Sequence, residues 1–297
     1  MKNLSGRVAV ITGAGSGLGA AMARRFAREG MKVVASDIDA AAAEATCAGL
    51  CEAGHTAIAV RTDVANPAEV EALAELACER FGAVHLLCNN AGIVPSGRQR
   101  TIWEYPLEDW EWSLGVNLMG VVHGIRSFVP RMLAHGDEGH VVTTASVAGL
   151  VGSSGSVPYG LAKQGAVRAT ESLYAALQER GAPIGVTLLC PGLVNTGIYR
   201  SERNRPVELR PAAGMAEETP ELRAIADRLY ASAISPEEVA DMLHKAVLEN
   251  QFYLFTTDKF DEPIRERTEA ILARRNPRFR DLVELSKSDM RTGRPQS

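Results

Sequence analysis

The chain has 297 residues and a mass of 31.8 kDa, with 46% hydrophobic residues, 23% charged residues and a formal net charge of −4. These values are typical of a globular protein with one large domain or two small ones, and they exclude a wholly disordered chain. The weakly acidic balance disfavours nucleic acid as a partner, and no apolar run approaches the roughly 18 residues of a membrane span.

The first residues, the histidines and the cysteines indicate a cytoplasmic protein without a metal site. Residues 1–7 lack the apolar core of a secretion signal. The six histidines form no HExxH motif and the chain has no CxxC motif, so we expect no bound metal. An odd number of cysteines without such a signal is typical of reduced thiols, here Cys47, Cys51, Cys78, Cys88 and Cys190.

Short apolar runs alternate with helical patterns along most of the chain. Seven runs are predicted to be strands, at residues 8–11, 32–36, 55–61, 84–88, 140–145, 184–190 and 252–256. Helices are predicted between them, at residues 18–29, 39–53, 67–81, 107–133, 159–180 and 236–250. This alternation predicts an α/β fold, a doubly wound, seven-stranded parallel Rossmann-type sheet with helices on both faces.

Two segments interrupt the alternation. Residues 197–230 carry Arg200, Arg203, Arg205 and Arg210 together with three prolines, between a strand and a helix. The segment is too long for an ordinary connection and predicts a mobile substrate lid. Residues 257–297 are predicted to form a helical C-terminal extension with a polar end. No linker precedes residue 256, so we expect a single domain over residues 1–256 that includes the lid.

Glycines follow the first predicted strand, at Gly13, Gly15, Gly17 and Gly19. At this place in an open α/β sheet, glycines permit a tight turn and let a pyrophosphate approach the backbone, while the next helix offers amide donors. A glycine-rich turn is weak evidence alone, because ordinary turns also use glycine. Its position after the first strand predicts that the domain over 1–256 binds a dinucleotide.

Asp37 ends the second predicted strand. A carboxylate there accepts hydrogen bonds from the adenosine ribose and repels a 2′-phosphate, which favours NAD over NADP. The alternative is a helix N-cap or a solvated acid in a turn.

Tyr159 and Lys163 are four residues apart, which puts a phenol and an ammonium on one helical face. A free tyrosine has a pKa of about 10, and a nearby positive charge lowers it, so that the phenol can exchange protons near neutrality. Ser146 lies at a strand end thirteen residues earlier, where its hydroxyl could polarise a carbonyl. A tyrosine and a lysine four residues apart occur often by chance. Their occurrence in the same chain as the glycine turn makes a chance pairing a poor explanation.

Together these motifs resemble the short-chain dehydrogenase/reductase family, over residues 5–256. The motifs that carry the resemblance are Thr12-Gly13-x-x-x-Gly17-x-Gly19, Asp63-Val64, Asn89-Asn90-Ala91-Gly92, Asn117, Ser146, Tyr159-x-x-x-Lys163 and Pro191-Gly192. The resemblance implies that Tyr159 is the general acid/base and that Lys163 lowers its pKa and holds the nicotinamide ribose. It also implies that Ser146 orients the substrate oxygen and that Asn117 holds a water in a proton relay.

The resemblance further implies a set of cofactor contacts in addition to Tyr159 and Lys163. They are Gly13, Ser16, Gly17, Leu18, Gly19, Asp37, Asp63, Val64, Asn90, Ala91, Gly92, Pro191, Gly192, Val194 and Thr196.

Purely structural roles are the alternative for several other residues. Asn117 could cap or kink its helix, and Asn89 is expected to brace the sheet. Core burial is expected of Cys88 and Cys190, and packing or a place in a pocket wall is expected of Trp103, Trp110 and Trp112.

The resulting hypothesis is an NAD-dependent enzyme that oxidises a bulky, largely apolar secondary alcohol or reduces its ketone. Small residues from Gly152 to Ser156 would leave space for a ring system. The expected apolar wall consists of Val94, Pro95, Val147, Leu150, Val151, Val157, Pro158 and Leu193. Three alternatives remain: the same chemistry on an anionic or sugar-like alcohol, a non-catalytic dinucleotide sensor, and a methyltransferase. An anion would be clamped by arginines of this region, Arg98, Arg100, Arg200, Arg203, Arg205 and Arg210.

The expected partners are a small-molecule alcohol or ketone and further copies of the chain, with no nucleic acid and no membrane. The predicted helices over 107–133 and 159–180 both carry apolar stripes. The resemblance implies that these helices pair between subunits in a homotetramer or a dimer. Both stripes could instead face the sheet.

Overall fold

The structure is a computed structural model, and it describes residues 1–95, 100–152, 155–212 and 220–279. No helix among these residues combines the length and the apolar character that crossing a bilayer requires.

The described residues form one sheet of seven strands in which every pairing is parallel. The strands are β1 (Val8–Thr12), β2 (Lys32–Asp37), β3 (Ala57–Arg61), β4 (Leu86–Asn89), β5 (Gly139–Thr144), β6 (Ile184–Cys190) and β7 (Tyr253–Phe255). Their order is β3-β2-β1-β4-β5-β6-β7, so the chain reverses its direction of winding between β1 and β4. The predicted doubly wound Rossmann-type sheet is therefore confirmed, and a cleft is expected at this switch point.

Helices cover both faces of the sheet. They are α1 (Gly17–Arg28), α2 (Ala40–Glu52), α3 (Pro67–Phe81), α4 (Leu107–Leu114), α5 (Gly120–His135), α6 (Val157–Glu179), α7 (Pro220–Ala231), α8 (Pro236–Glu249) and α9 (Asp261–Leu272). Helix α3 begins with Pro67 and is capped by Asn66, whose side chain accepts from the Ala68 amide at 3.0 Å.

The sheet divides the core into two layers. Ala9 and Ile11 of β1 pack on the side of α1 and α8, whereas Val8 and Val10 pack on the side of α3, α5 and α6. Successive side chains of a strand point to opposite faces, so a strand that is covered on both faces has no solvent-exposed position. All five residues of β1 are buried.

Two details differ from the sequence prediction, the helix over 107–133 and the lid. The long helix predicted over 107–133 is two helices, α4 and α5, joined by a π turn over Gly115–Met119. The predicted lid contains short 3₁₀ turns over Gly197–Asn204 and Val207–Leu209 followed by α7, while residues 213–219 lie outside the described residues. The C-terminal extension contains α9, and its polar end from residue 280 also lies outside them.

Candidate active site

The turn between β1 and α1 has a backbone that suits glycine at three positions. Gly13 and Gly17 have φ angles of +68° and +50°, and a Cβ atom on Gly13 would lie 2.9 Å from the Ala91 Cα. A Cβ atom on Gly19 would overlap the Gly13 carbonyl oxygen. The amide groups at the N-terminus of α1 therefore reach the cleft without side chains in the way, an arrangement that binds phosphates.

Asp37 is the last residue of β2, and its carboxylate is held beside the glycine turn. Its Oδ2 accepts from the Gly15 amide at 2.8 Å, and its Oδ1 accepts from the Asp39 amide at 3.0 Å. The helix-cap alternative is wrong, because Asp39 caps α2 and accepts from the Ala42 amide at 3.1 Å. The remaining lone pairs of Asp37 are in a position to accept ribose hydroxyls.

The ends of β1, β4 and β5 are tied together by a polar network. The Thr12 hydroxyl accepts from the amides of Asn90 and Ala91 at 3.0 and 3.1 Å and donates to the Cys88 carbonyl at 3.3 Å. The Asn90 amide group donates to the Thr12 carbonyl at 3.0 Å, and its oxygen accepts from Thr144 at 3.1 Å. Asn90 thus fixes the floor of the cleft, a role that the motif alone does not reveal.

Asn89 does not make the bracing contacts that the sequence suggested. It is buried against Gly124 of α5, where a Cβ atom would overlap its Oδ1. Its Nδ2 has no hydrogen-bond partner among the described residues. Asn89 lies in β4 and outside the cleft, as expected of a residue that does not contact a ligand, and the hydrogen bonds between the strand ends are made by the neighbouring Asn90.

Lys163 and Tyr159 lie on consecutive turns of α6. The Lys163 Nζ is buried, donates to the Thr144 carbonyl at 2.7 Å and lies 5.6 Å from the centroid of the Tyr159 ring. Burial lowers the pKa of Lys163 to about 8, because a buried ammonium loses its hydration. The ammonium lies over the face of the Tyr159 ring.

Ser146 follows β5 in an extended conformation and caps a short 3₁₀ turn. Its Oγ accepts from the Ala148 amide at 3.2 Å and donates to the Pro191 carbonyl at 3.4 Å. The second contact is long, so the hydroxyl can exchange it for a ligand oxygen at little cost. Ser146 and Tyr159 line the same cleft.

Asn117 lies behind the cleft wall, in the π turn between α4 and α5. Its Oδ1 accepts from the Ile93 amide at 3.0 Å, and its Nδ2 donates to the Ile93 carbonyl at 2.9 Å and to Ser113 at 3.2 Å. A Cβ atom on Gly92 would lie 3.0 Å from the Asn117 Oδ1 and 3.4 Å from the Lys163 Nζ. The side chain of Asn117 therefore fixes the loop after β4, and its role in a water relay remains a prediction.

A single cleft of about 2120 Å³ runs along the carboxyl ends of the strands. Pockets for one drug-sized ligand have roughly 300–1,000 Å³, so this cleft has room for a dinucleotide and a substrate side by side. Every residue that was predicted to contact the cofactor lines it, namely Gly13, Ser16, Gly17, Leu18, Gly19, Asp37, Asp63, Val64, Asn90, Ala91, Gly92, Tyr159, Lys163, Pro191, Gly192, Val194 and Thr196.

The other half of the cleft has a mostly apolar wall. Pro158 is buried outside this wall, and Gly152 does not leave the expected space, because Phe279 lies where its Cβ would be, at 2.5 Å. Ser153 and Ser154 lie outside the described residues. The expected wall residues that line the cleft are Val94, Pro95, Val147, Leu150, Val151, Val157 and Leu193. Sequence reasoning missed aromatic wall residues in the lid and the extension, Tyr199, Tyr230, Phe260 and Phe279.

Arg205 of the lid is buried, and it is neither solvated nor free to clamp a ligand. It forms ion pairs with Asp109 and Glu202, both at 2.6 Å, and its guanidinium lies 4.2 Å from the ring centroid of Trp112. The expectation that an arginine here clamps an anion is therefore wrong at this position. Arg205 joins the lid to α4, and its partner Asp109 is 96 residues away in sequence.

The tryptophans and the two strand-end cysteines were expected to be packed, buried or part of a pocket wall, and all but one of them are. Trp112 lines the cleft, and Trp110 packs edge-on against Tyr105 at 6.2 Å. Trp103 is 80% exposed and outside the cleft, so the expectation of packing or a pocket wall is wrong for it. The cysteines at the strand ends, Cys88 and Cys190, are buried as expected.

The parallel sheet, the glycine turn at its switch point and the Tyr–Lys pair define a dinucleotide-dependent oxidoreductase class. A family model described as short chain dehydrogenase matches residues 7–206. The chain belongs to the short-chain dehydrogenase/reductase family of oxidoreductases.

Three relatives illustrate the similarity. The CLA biosynthesis dehydrogenase/reductase of Lactiplantibacillus plantarum is 33% identical over 92% of this chain and 95% of its own. The 1-deoxy-11-beta-hydroxypentalenate dehydrogenase of Streptomyces exfoliatus is 35% identical over 88% of this chain and 89% of its own. A short chain dehydrogenase/reductase from Burkholderia phymatum, whose crystal structure is a complex with NAD, is 43% identical and superposes with a TM-score of 0.86 over 95% of this chain and 99% of its own.

Proposed function

We propose that the protein is an NAD-dependent oxidoreductase that interconverts a bulky, largely apolar secondary alcohol and its ketone. The observation that carries this proposal is that Ser146, Tyr159 and Lys163 line the same cleft as the glycine turn and Asp37. One cleft thus combines groups suited to proton transfer with groups suited to a dinucleotide.

The residues present fit a dinucleotide. The Gly13–Gly19 turn is a cradle that side chains would fill, since a Cβ on either end residue would collide with backbone. Asp37, fixed by two amides, lies next to this turn. When bound, NAD would supply a hydride acceptor at its nicotinamide, and its reduced form would supply a donor.

In this proposal, Tyr159 exchanges the proton of the substrate oxygen. Its phenolate oxygen accepts the proton in the oxidation direction, and the resulting hydroxyl returns it in the reduction direction. Ser146 donates a hydrogen bond to the same oxygen and holds it near Tyr159. Lys163 is cationic below its pKa of about 8, and its bond to the Thr144 carbonyl keeps that charge close to the phenol.

Asp37 is the basis for proposing NAD over NADP. Its carboxylate would face the 2′ position of the adenosine ribose, and a 2′-phosphate there would meet a like charge. The Burkholderia phymatum relative, 43% identical, has a crystal structure in complex with NAD. This supports the same choice of cofactor here.

The substrate class is proposed from the shape and chemistry of the wall. The cleft is large, and the residues around Ser146 are mostly apolar, including Val147, Leu150 and Val151. An apolar wall binds apolar surface by excluding water from it. The Streptomyces exfoliatus relative is named for a hydroxylated substrate, in agreement with an alcohol here.

The experiment is a screen of NAD reduction with secondary alcohols graded by size, from 2-propanol through 1-phenylethanol to 1-(biphenyl-4-yl)ethanol, beside sorbitol and lactate. We expect kcat/KM to rise along the aromatic series. A higher kcat/KM for sorbitol or lactate would contradict the apolar pocket, and no reduction with any alcohol would contradict the proposed activity.

A further inference from the structure

The C-terminal extension contributes to the substrate half of the cleft through one face of α9. Phe260, Ile264 and Arg267 are spaced by four and three residues, so they share a helical face. Phe260 is buried in a cluster with Val147 and Val151, the residues just after Ser146, and Ile264 packs against this cluster. The next position on that face is Arg267, and it lines the cleft.

The substrate half of the cleft is rich in positive charge. Among the described residues that line this half, Glu202 is the one carboxylate, and it is already paired with Arg205 at 2.6 Å. Against it stand five arginines on the same wall, Arg100, Arg200, Arg203, Arg223 and Arg267. An apolar wall with a surplus of guanidinium groups favours a ligand that is apolar and carries an anion.

Most of these arginines are engaged by the protein. Arg200 pairs with Asp227 at 2.7 Å, and Arg203 donates to two backbone carbonyls of the lid, the shorter contact at 2.7 Å. Arg100 lies 3.8 Å from Asp109. These contacts hold the guanidinium groups in place and leave them poor candidates for the primary contact of a ligand.

Arg267 differs from its neighbours on the wall. It is half-buried, and within the described part of the chain its side chain has neither a hydrogen bond nor an ion pair. Arg265, two residues earlier, is 63% exposed and pairs with Glu262 at 2.8 Å. A half-buried guanidinium loses part of its hydration without gaining a protein partner, and a carboxylate in the cleft would offset that loss.

We infer that Arg267 binds a carboxylate of the substrate, which makes the substrate class a bulky, apolar hydroxy acid whose carboxylate lies remote from the carbinol carbon. This inference rests on the proposed function, because it concerns the same cleft. The apolar body would lie along Val147, Val151 and Phe260, with the carboxylate beyond them at Arg267. The planar guanidinium fork matches a planar carboxylate with two parallel hydrogen bonds.

The experiment compares an acid with its methyl ester in a matched pair of probes, at two lengths. Calorimetry measures the binding of 4-acetylbenzoate and 4′-acetylbiphenyl-4-carboxylate, each beside its methyl ester. NAD is present in the oxidised form, so the ketone probes bind without being reduced. The corresponding secondary alcohols are then assayed for NAD reduction. Both measurements are made on the full-length wild-type protein and on two full-length variants. Arg267→Gln is the test variant, and Arg265→Gln is the control.

We expect wild type to bind at least one acid about tenfold or more tightly than its ester, as a charge-assisted bidentate contact allows. Arg267→Gln should remove this preference and leave the ester unchanged, and Arg265→Gln should keep it. In the assay, the loss should appear in KM for the acid, with kcat retained, because Arg267 is remote from the reacting atoms.

Acid and ester that bind equally to wild type, or acids that do not bind at all, would overturn the inference. So would an equal loss for both ligands in Arg267→Gln, or the same loss in Arg265→Gln. The proposed function fails separately: if no alcohol of either kind reduces NAD, the activity is wrong even where the acid binds through Arg267. If alcohols are oxidised without regard to charge, the activity stands and the carboxylate site does not.

Discussion

Single residues in this protein show how burial sets the charge of a group. His140 of β5 is buried, and its Nε2 lies 2.8 Å from the Thr187 Oγ1, which itself donates to the Gln251 carbonyl at 2.7 Å. The Nε2 therefore carries the proton, and the Nδ1 has no hydrogen-bond partner among the described residues. Burial lowers the pKa of His140 to about 3, since a second proton would add an unsolvated charge.

His140 should make the protein less stable in acid. Because its pKa is depressed in the folded state, its contribution is complete above the unfolded value, about 6.5, and is lost as pH falls from there towards 3. Over this range the free energy of unfolding should fall by about 1.4 kcal/mol per pH unit from this group. The test is the free energy of unfolding from urea titrations of wild type and of His140→Gln, which keeps a donor for Thr187. Below pH 6.5 this free energy should fall more steeply with decreasing pH in wild type than in the variant. Parallel curves would contradict this.

Asp37 should set the cofactor preference. We expect wild type to have a higher kcat/KM with NAD than with NADP, and Asp37→Asn to lower this ratio by about tenfold or more, because the like-charge contact with a 2′-phosphate is removed. The asparagine keeps an acceptor for the Gly15 amide, so the glycine turn stays intact. Equal efficiency with both cofactors in wild type would contradict the assignment, as would an unchanged ratio in the variant.

Among the elements, the lid depends on one buried ion pair. Arg205 pairs with Asp109 of α4 at 2.6 Å, and both side chains are buried. Arg205→Met should reduce the free energy of unfolding by about 3–5 kcal/mol, because it leaves the Asp109 carboxylate buried without its partner. Denaturant titration measures this loss, with the exposed Arg203→Met as the control, expected to lose less than about 1 kcal/mol.

A second variant distinguishes the charge from packing. Replacing both partners, in Arg205→Met with Asp109→Leu, removes the buried charges together and should recover much of the loss. If the double variant were as unstable as Arg205→Met alone, the unpaired carboxylate would not be the cause.

The elements also show what the sequence can and cannot predict. Strand and helix types followed from local patterns, because strands buried on both faces carry short apolar runs, such as Val8–Ile11 of β1. The π turn over Gly115–Met119 was missed because its cause is tertiary: Asn117 is held by the backbone of Ile93, on another loop. The residues that flank this turn keep right-handed helical backbone, so the chain does not leave the helical conformation there.

The candidate site was predictable to a similar extent. Residues at strand ends meet at one edge of a parallel sheet, so Asp37, Ser146 and the glycine turn line one cleft, as predicted. The buried state of Arg205 was not predictable, because its partner Asp109 is 96 residues away in sequence. In the sequence, a buried arginine of a charged segment looks the same as a solvent-exposed one, because only the fold shows which carboxylate pairs with it.

For the whole molecule, we expect a homo-oligomer, a tetramer or a dimer. Large apolar side chains are exposed on α4, the π turn and α6, at Leu107, Met119 and Leu161. Part of the predicted stripe packs within the subunit, because Leu118 contacts Gly165 of α6. The exposed part remains available for a second copy of the chain.

Light scattering at micromolar concentration tests this expectation. Wild type should exceed the 31.8 kDa of a single chain, and Leu161→Glu should shift the population towards the monomer, because it introduces a charge into an apolar contact. Ile271→Glu, on an exposed position of α9, is the control and should not change the mass. A wild-type monomer, or equal effects of both variants, would contradict the assigned surface.

If Tyr159 transfers the proton, its hydroxyl is needed for turnover and not for NAD binding, so the decisive measurement is kcat of Tyr159→Phe with a bulky secondary alcohol. This change deletes one hydroxyl and leaves the glycine turn and Asp37 in place. We expect kcat to fall by about 10²–10⁴-fold, while NAD still binds with nearly its wild-type Kd. A Tyr159→Phe variant that retained more than about a tenth of the wild-type kcat would show that Tyr159 is not the general acid/base.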